Sequence, residues 1–118
     1  MTNSFDLVLN EINLGLYKDE VTSSLFKNFQ VKTIYPNPFN NSTQIHFKID
    51  KPGNVNISIY DISGKWITNL LNKRINKGKH ELIWKGLDAT GEIVSSGSYL
   101  IVMKYGKNVT SKKLNYLK

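Results

Sequence analysis

The 118-residue chain contains no cysteine. Disulfides, thiolate metal sites and a cysteine nucleophile are therefore excluded, although the compartment stays open, because exported β domains can do without disulfides. No apolar run reaches the roughly 18 residues that a membrane-spanning helix needs. The opening MTNSFDLVLNEINLGLY carries acids where a signal peptide has a basic n-region, and its apolar residues are interrupted. The expectation is a cytoplasmic protein or the end of a longer exported chain.

Acids are also scarce: nine Asp and Glu stand against sixteen Lys and Arg, a formal net charge of +7. The imbalance is uneven. Residues 1–30 hold two Lys and four acids (−2), whereas residues 31–118 hold fourteen Lys or Arg and five acids (+9). An acidic lead and a basic body place a boundary near residue 30. The basic body fits an anionic partner, or simply a Lys-rich solvated surface. A reading helix, an RNP motif and a stacking platform are all missing, so nucleic acid is not expected.

Proline is rare, yet two of the three prolines fall within three positions, in YPNPFN at 35–40. Each Pro fixes its own φ and lacks an N–H, and each drives its predecessor, here Tyr35 and Asn37, out of the α region. The stretch reads as a semi-rigid clamp where a linker ends and a β domain begins. What the chain does have is 40% hydrophobic and 11% aromatic residues, enough for a core.

From residue 43 the hydrophobic period is two. TQIHFKID puts Ile45, Phe47 and Ile49 on one face, and NVNISIYD does the same with Val55, Ile57 and Ile59. Such alternation marks half-buried antiparallel strands. Between them Lys51-Pro52-Gly53 is a turn. Asp61-Ile62-Ser63-Gly64 is a tight connection in which Asp61 bonds its own backbone and Gly64 supplies a positive φ. GKWITNLL, a strand carrying His80, Leu82 and Trp84 on one face, SYLIVMKY and VTSKKLNYLK follow, with a strand at about 31–35 ahead of them. SYLIVMKY is apolar on both faces and reads as a central strand. Seven strands with short turns and no helix predict an immunoglobulin-like antiparallel β-sandwich. In residues 1–30, Phe5, Leu7 and Leu9, then Ile12, Leu14 and Leu16, alternate as two short strands, too few to bury a core.

Several blocks now align with a known family. Tyr35-Pro36-Asn37-Pro38-Phe39-Asn40 with Ser42-Thr43, the block Ile59 to Lys65, Gly78 to Gly91 around Trp84, Ser96-Gly97-Ser98-Tyr99, and the ending Lys112 to Lys118 together resemble type A C-terminal sorting domains of the type IX secretion system of Bacteroidota. The resemblance covers residues 31–118. Asn41 stands where the family usually has Pro, and Lys85 follows Trp84 where Asp or Asn is usual. Flagellar hook-capping proteins share the tryptophan and Ser-Gly-x-Tyr blocks, but the clamp and the basic ending favour the sorting domain.

The resemblance implies a secretion signal rather than an enzyme. Its partners would be an outer-membrane translocon and a sortase-like peptidase, reached through the periplasm on the way to the cell surface or medium. No cofactor, metal or oligomer is expected. Residues 1–30 would be linker or cargo remnant, and residues 17–34 an exposed segment open to the peptidase. The recognition residues would be Tyr35, Pro36, Asn37 and Pro38 of the clamp, Asp61, Gly64, Gly97 and Tyr99 of the framework, and Lys112, Lys113 and Lys118 of the final strand. Tyr99 would be a core aromatic whose hydroxyl bonds a nearby loop, and the last strand could dock by β-addition. The competing reading is an immunoglobulin-like adhesion module for glycan or protein, for which Trp66 is the sole candidate platform.

Overall fold

A computed structural model describes residues 29–118. It contains seven strands, β1 (Phe29–Tyr35), β2 (Thr43–Ile49), β3 (Gly53–Asp61), β4 (Trp66–Ile75), β5 (Gly78–Trp84), β6 (Gly97–Tyr105) and β7 (Asn108–Tyr116). They form two antiparallel sheets, β1-β2-β5 and β4-β3-β6-β7. The expected β-sandwich is present. The two short strands expected before residue 30 lie outside the described residues.

The period-two reading explains the core. Ile45, Phe47 and Ile49 from one sheet face Val55, Ile57, Ile59, Ile101 and Met103 from the other, all essentially excluded from solvent. Burying such side chains contributes about 1.5–3 kcal/mol each, which is what holds two sheets face to face. On β6 both faces are buried, as its sequence required. Tyr99, Ile101 and Met103 enter the core, while Leu100 and Val102 pack beneath Tyr60 and Val109 on the outer face.

Two boundaries differ from expectation. β4 continues four residues beyond Leu71, because Asn72 to Ile75 pair with Asn56 to Gly53, after register shifts earlier in the same ladder. β1 begins at Phe29 and pairs with β2 through Ile49, and Val31 is buried. The clamp is therefore not the start of the domain but the β1–β2 connection inside it. Residues 29–34 are paired strand rather than the exposed segment expected there. The remainder of that window lies outside the described residues.

The short connections at 50–52, 76–77 and 106–107 and the start of β1 share one end of the sandwich, as the pairs Phe29–Ile49, Ile49–Gly78, Gly53–Ile75 and Tyr105–Asn108 require. The clamp, the 62–65 turn, the long 85–96 loop and the close of β7 share the other end. Chain entry into β1 and exit from β7 are thus at opposite ends.

Candidate functional site

The clamp grips the last strand. Asn37 accepts a hydrogen bond at Oδ1 from the Asn115 amide (3.0 Å) and donates from Nδ2 to the Lys113 carbonyl (3.4 Å). Two residues on, the Phe39 amide donates to the Asn115 carbonyl (3.0 Å), and the Leu117 amide donates to the Phe39 carbonyl (2.9 Å). Phe39 and Tyr116 thereby form a parallel bridge. A connection belonging to one sheet supplies the pairing that the edge strand of the other sheet lacks. Pro36 and Pro38 cannot donate, so between Tyr35 and Asn40 the backbone donors are those of Asn37 and Phe39. Both X-Pro bonds, Tyr35-Pro36 and Asn37-Pro38, are cis.

Side chains reinforce the grip. Phe39 is 2% exposed and lies between Trp84 (ring centroids 5.4 Å) and Tyr116 (4.9 Å), with Tyr99 edge-on to Trp84 at 5.3 Å. Tilted aromatic pairs of this kind add roughly 0.5–1.5 kcal/mol beyond area burial. Fully buried Thr43 donates from Oγ1 to the Pro36 carbonyl (2.7 Å), fixing the clamp to the start of β2. Trp84 Nε1 donates to the Leu87 carbonyl (2.9 Å), and the Tyr99 hydroxyl to the Ser95 carbonyl (2.5 Å), the loop contact expected of it. Burial, with smaller contributions from Asp61 and Tyr116, holds the Tyr99 hydroxyl above its ordinary pKa.

The framework aspartates sit in twin turns. Asp61 Oδ1 accepts from the Ser63 amide, the Ser63 hydroxyl and the Lys65 amide at 2.7–2.9 Å. Asp88 Oδ1 accepts in the same pattern from Thr90 and Glu92 at 2.6–3.0 Å. DISGK and DATGE are thus the same turn, and Gly64 at φ 100° and Gly91 at φ 91° occupy its left-handed position. Slight burial pushes Asp61 up, but its hydrogen bonds outweigh it and hold the carboxyl below the ordinary value. For Asp88 the Thr90 hydroxyl leads the hydrogen bonds that lower it.

The site residues expected from sequence fall into three groups. Asn37, Tyr99 and Gly97 meet the final strand directly: Gly97 pairs with Tyr116 and Tyr99 with Leu114. Asp61 and Gly64 shape a turn at the same end. Tyr35, at 73%, is the most exposed large apolar residue described. Lys112 and Lys113 are exposed on β7, and the Lys118 amide donates to Ser96 Oγ (2.9 Å). The open edge imagined for β-addition is partly filled, because the outward groups of Lys113, Asn115 and Leu117 already bond the clamp. Phe39, Thr43, Asn115 and Tyr116 carry the grip without having stood out as site residues. The one available signal was an isolated Phe in a polar Pro-Asn turn.

Among the described residues no group of three or more His, Asp or Glu is arranged to hold a metal ion, and no helix is long and apolar enough to cross a membrane.

The comparisons with known proteins agree with this geometry. No curated protein matches the chain. Among solved structures it is similar to dimeric latent PorU from Porphyromonas gingivalis, with 21% identity and a TM-score of 0.59 over 75% of this chain and 9% of that one. It is also similar to PorZ, a surface component of the type IX secretion system of the same organism, with 18% identity and a TM-score of 0.52 over 73% of this chain and 11% of that one. FlgD from Pseudomonas aeruginosa shares the fold at 18% identity and a TM-score of 0.52, over 75% of this chain and 65% of that one. The chain thus corresponds to only a small part of the length of PorU and PorZ. A family profile described as a secretion system C-terminal sorting domain matches residues 33–116, which run from within β1 to the last residue of β7. The chain therefore belongs to the family of secretion system C-terminal sorting domains, the type IX tails whose motifs it carries.

Proposed function

We propose that residues 29–118 act as a folded address, recognised at an outer-membrane translocon through the end of the sandwich where the clamp meets β7. The observation carrying this reading is the double grip of Asn37 and Phe39 on Asn115 and Leu117. It makes the shape of the terminal segment depend on residues 76 to 78 positions earlier in the chain. A receptor reading that end distinguishes folded from unfolded tails, because neither half is presented alone. Tyr35, Pro36, Asn37, Pro38, Lys112, Lys113 and Lys118 form the contact face, while Asp61, Gly64, Gly97 and Tyr99 hold it in shape.

Cargo attached upstream would pass through the periplasm to the cell surface or medium, with the domain as a monomer and without chemistry of its own. A sortase-like peptidase would cut before Phe29, since cutting within β1 requires unpairing a strand whose Val31 is buried. The test places the 118-residue chain behind a signal peptide and a reporter in a host with the type IX machinery. Reporter at the surface or in the medium is expected, with periplasmic retention once residues 114–118 are deleted. Retention of the intact fusion, with the domain shown folded by protease resistance, overturns the reading.

A further inference from the structure

The net charge of the domain is not spread over its surface. The end opposite the clamp gathers Lys48 and Lys51 beside the 50–52 turn, and Lys73, Arg74, Lys77 and Lys79 around the 76–77 turn. Lys104 and Lys107 flank the 106–107 turn at the same end. Among the described residues a single acid, Asp50, stands against these eight cations, a local net of +7. The rest of residues 29–118 holds six cations and four acids, a net of +2. The turns come from stretches more than 20 residues apart in the sequence, so only the fold assembles the collar.

Two observations argue that the collar is more than a solvated surface. Among the described residues none of its cations has a carboxylate within ion-pair distance, the one such contact being His46 with Glu81 at 3.7 Å. Lys48 and Lys79 are also direct cross-strand partners, both exposed. Like charges in that register destabilise a sheet, and a bound anion removes the cost.

We infer that this basic end docks on a surface of anionic lipid headgroups, and the inference stands apart from the sorting reading. Its charges ring a blunt strand end, which suits many phosphates in a plane. The large apolar side chains exposed at a sandwich end, Tyr35, Ile62, Trp66, Ile93 and Leu117, are all at the clamp end. Among the residues whose side chains are described, the basic end therefore has no exposed aromatic on which nucleobases would stack, and no wedge to insert among acyl chains. Docking is electrostatic and reversed by salt, and it leaves the clamp and C-terminus facing away from the lipid.

The test is flotation of the 118-residue chain with vesicles of phosphatidylcholine alone or with about 30 mol % phosphatidylglycerol, at roughly 0.05 M and 0.5 M salt. Binding is expected only with phosphatidylglycerol and only at the lower salt. The triple variant Lys73→Gln/Arg74→Gln/Lys77→Gln should lose affinity by roughly a hundredfold, from three charges near an anionic surface. Lys32→Gln/Lys65→Gln/Lys85→Gln, with the same loss of net charge elsewhere, should change it less than about threefold. Circular dichroism confirms that both variants fold. No binding to the anionic vesicles, equal loss in the two triples, or tighter binding to a single-stranded oligonucleotide than to vesicles overturns the inference.

Discussion

Phe39 is the sharpest place to perturb the clamp. In a loop that served only as a connection, replacing one apolar residue would cost less than about 0.5 kcal/mol, as at most surface sites. Here the ring is 2% exposed and touches both Trp84 and Tyr116. Phe39→Ala should cost about 3–5 kcal/mol, because the lost burial is joined by an unfilled cavity between two rigid rings. A domain of this size has a total stability of roughly 5–15 kcal/mol, so the variant sits near the edge of folding. Phe39→Leu keeps most of the apolar volume and should cost no more than about 1.5 kcal/mol. Urea unfolding followed by circular dichroism gives both values, provided the denaturant slope is unchanged. Hydrogen exchange adds a local readout, since the Leu117 amide donates to the Phe39 carbonyl and should exchange faster in Phe39→Leu. A cost below about 1 kcal/mol for Phe39→Ala, or unaltered exchange at Leu117, would refute the claim that the clamp holds the last strand.

Gly86 lies at φ +72°, and an added Cβ would stand 3.2 Å from the Tyr116 ring, so Gly86→Ala should cost about 1–3 kcal/mol in the same unfolding measurement. Gly91 also has a positive φ but open space around it, so Gly91→Ala should cost less; an equal cost would mean that the Tyr116 contact is irrelevant. Asp61 and Asp88 have folded pKa values below the ordinary 3.8. Their stabilisation is therefore complete above about pH 4 and is lost as pH falls through the lowered folded values. A double variant, Asp61→Asn/Asp88→Asn, should show a flatter fall of thermal midpoint below about pH 4 than the parent, and an unchanged acid limb would contradict the twin-turn geometry.

Local rules carried the strands a long way. Ile45, Phe47, Ile49, Val55, Ile57 and Ile59 are all buried, as their alternation demanded, and the Asp61 turn closes through the backbone bonds expected of Asx-Gly chemistry. Tyr99 was placed correctly as a core aromatic bonded to a loop. The partners of the clamp were not legible. Asn37 and Asn115 are joined across 78 positions, and nothing in a local pattern states which distant backbone a side-chain amide will meet. Lys112 shows the same limit. Its exposure could be read, but not that the register sets it opposite buried Ile101, on the core side of an edge strand where an inward charge discourages further pairing. The charged collar is illegible for a related reason, since it exists only once three separate turns, two of them crossing between the sheets, reach one end.

The entry of the chain at one end of the sandwich and its departure at the other has a mechanical corollary. A tension applied between Phe29 and Lys118 runs along the strand axes, at right angles to the ladder hydrogen bonds. Those bonds must then slide past one another together rather than open one by one, and the Asn37 and Phe39 staples add to the load that must give way at once. A domain of this construction would transmit a pull applied at Lys118 to the residues before Phe29 while keeping its own shape.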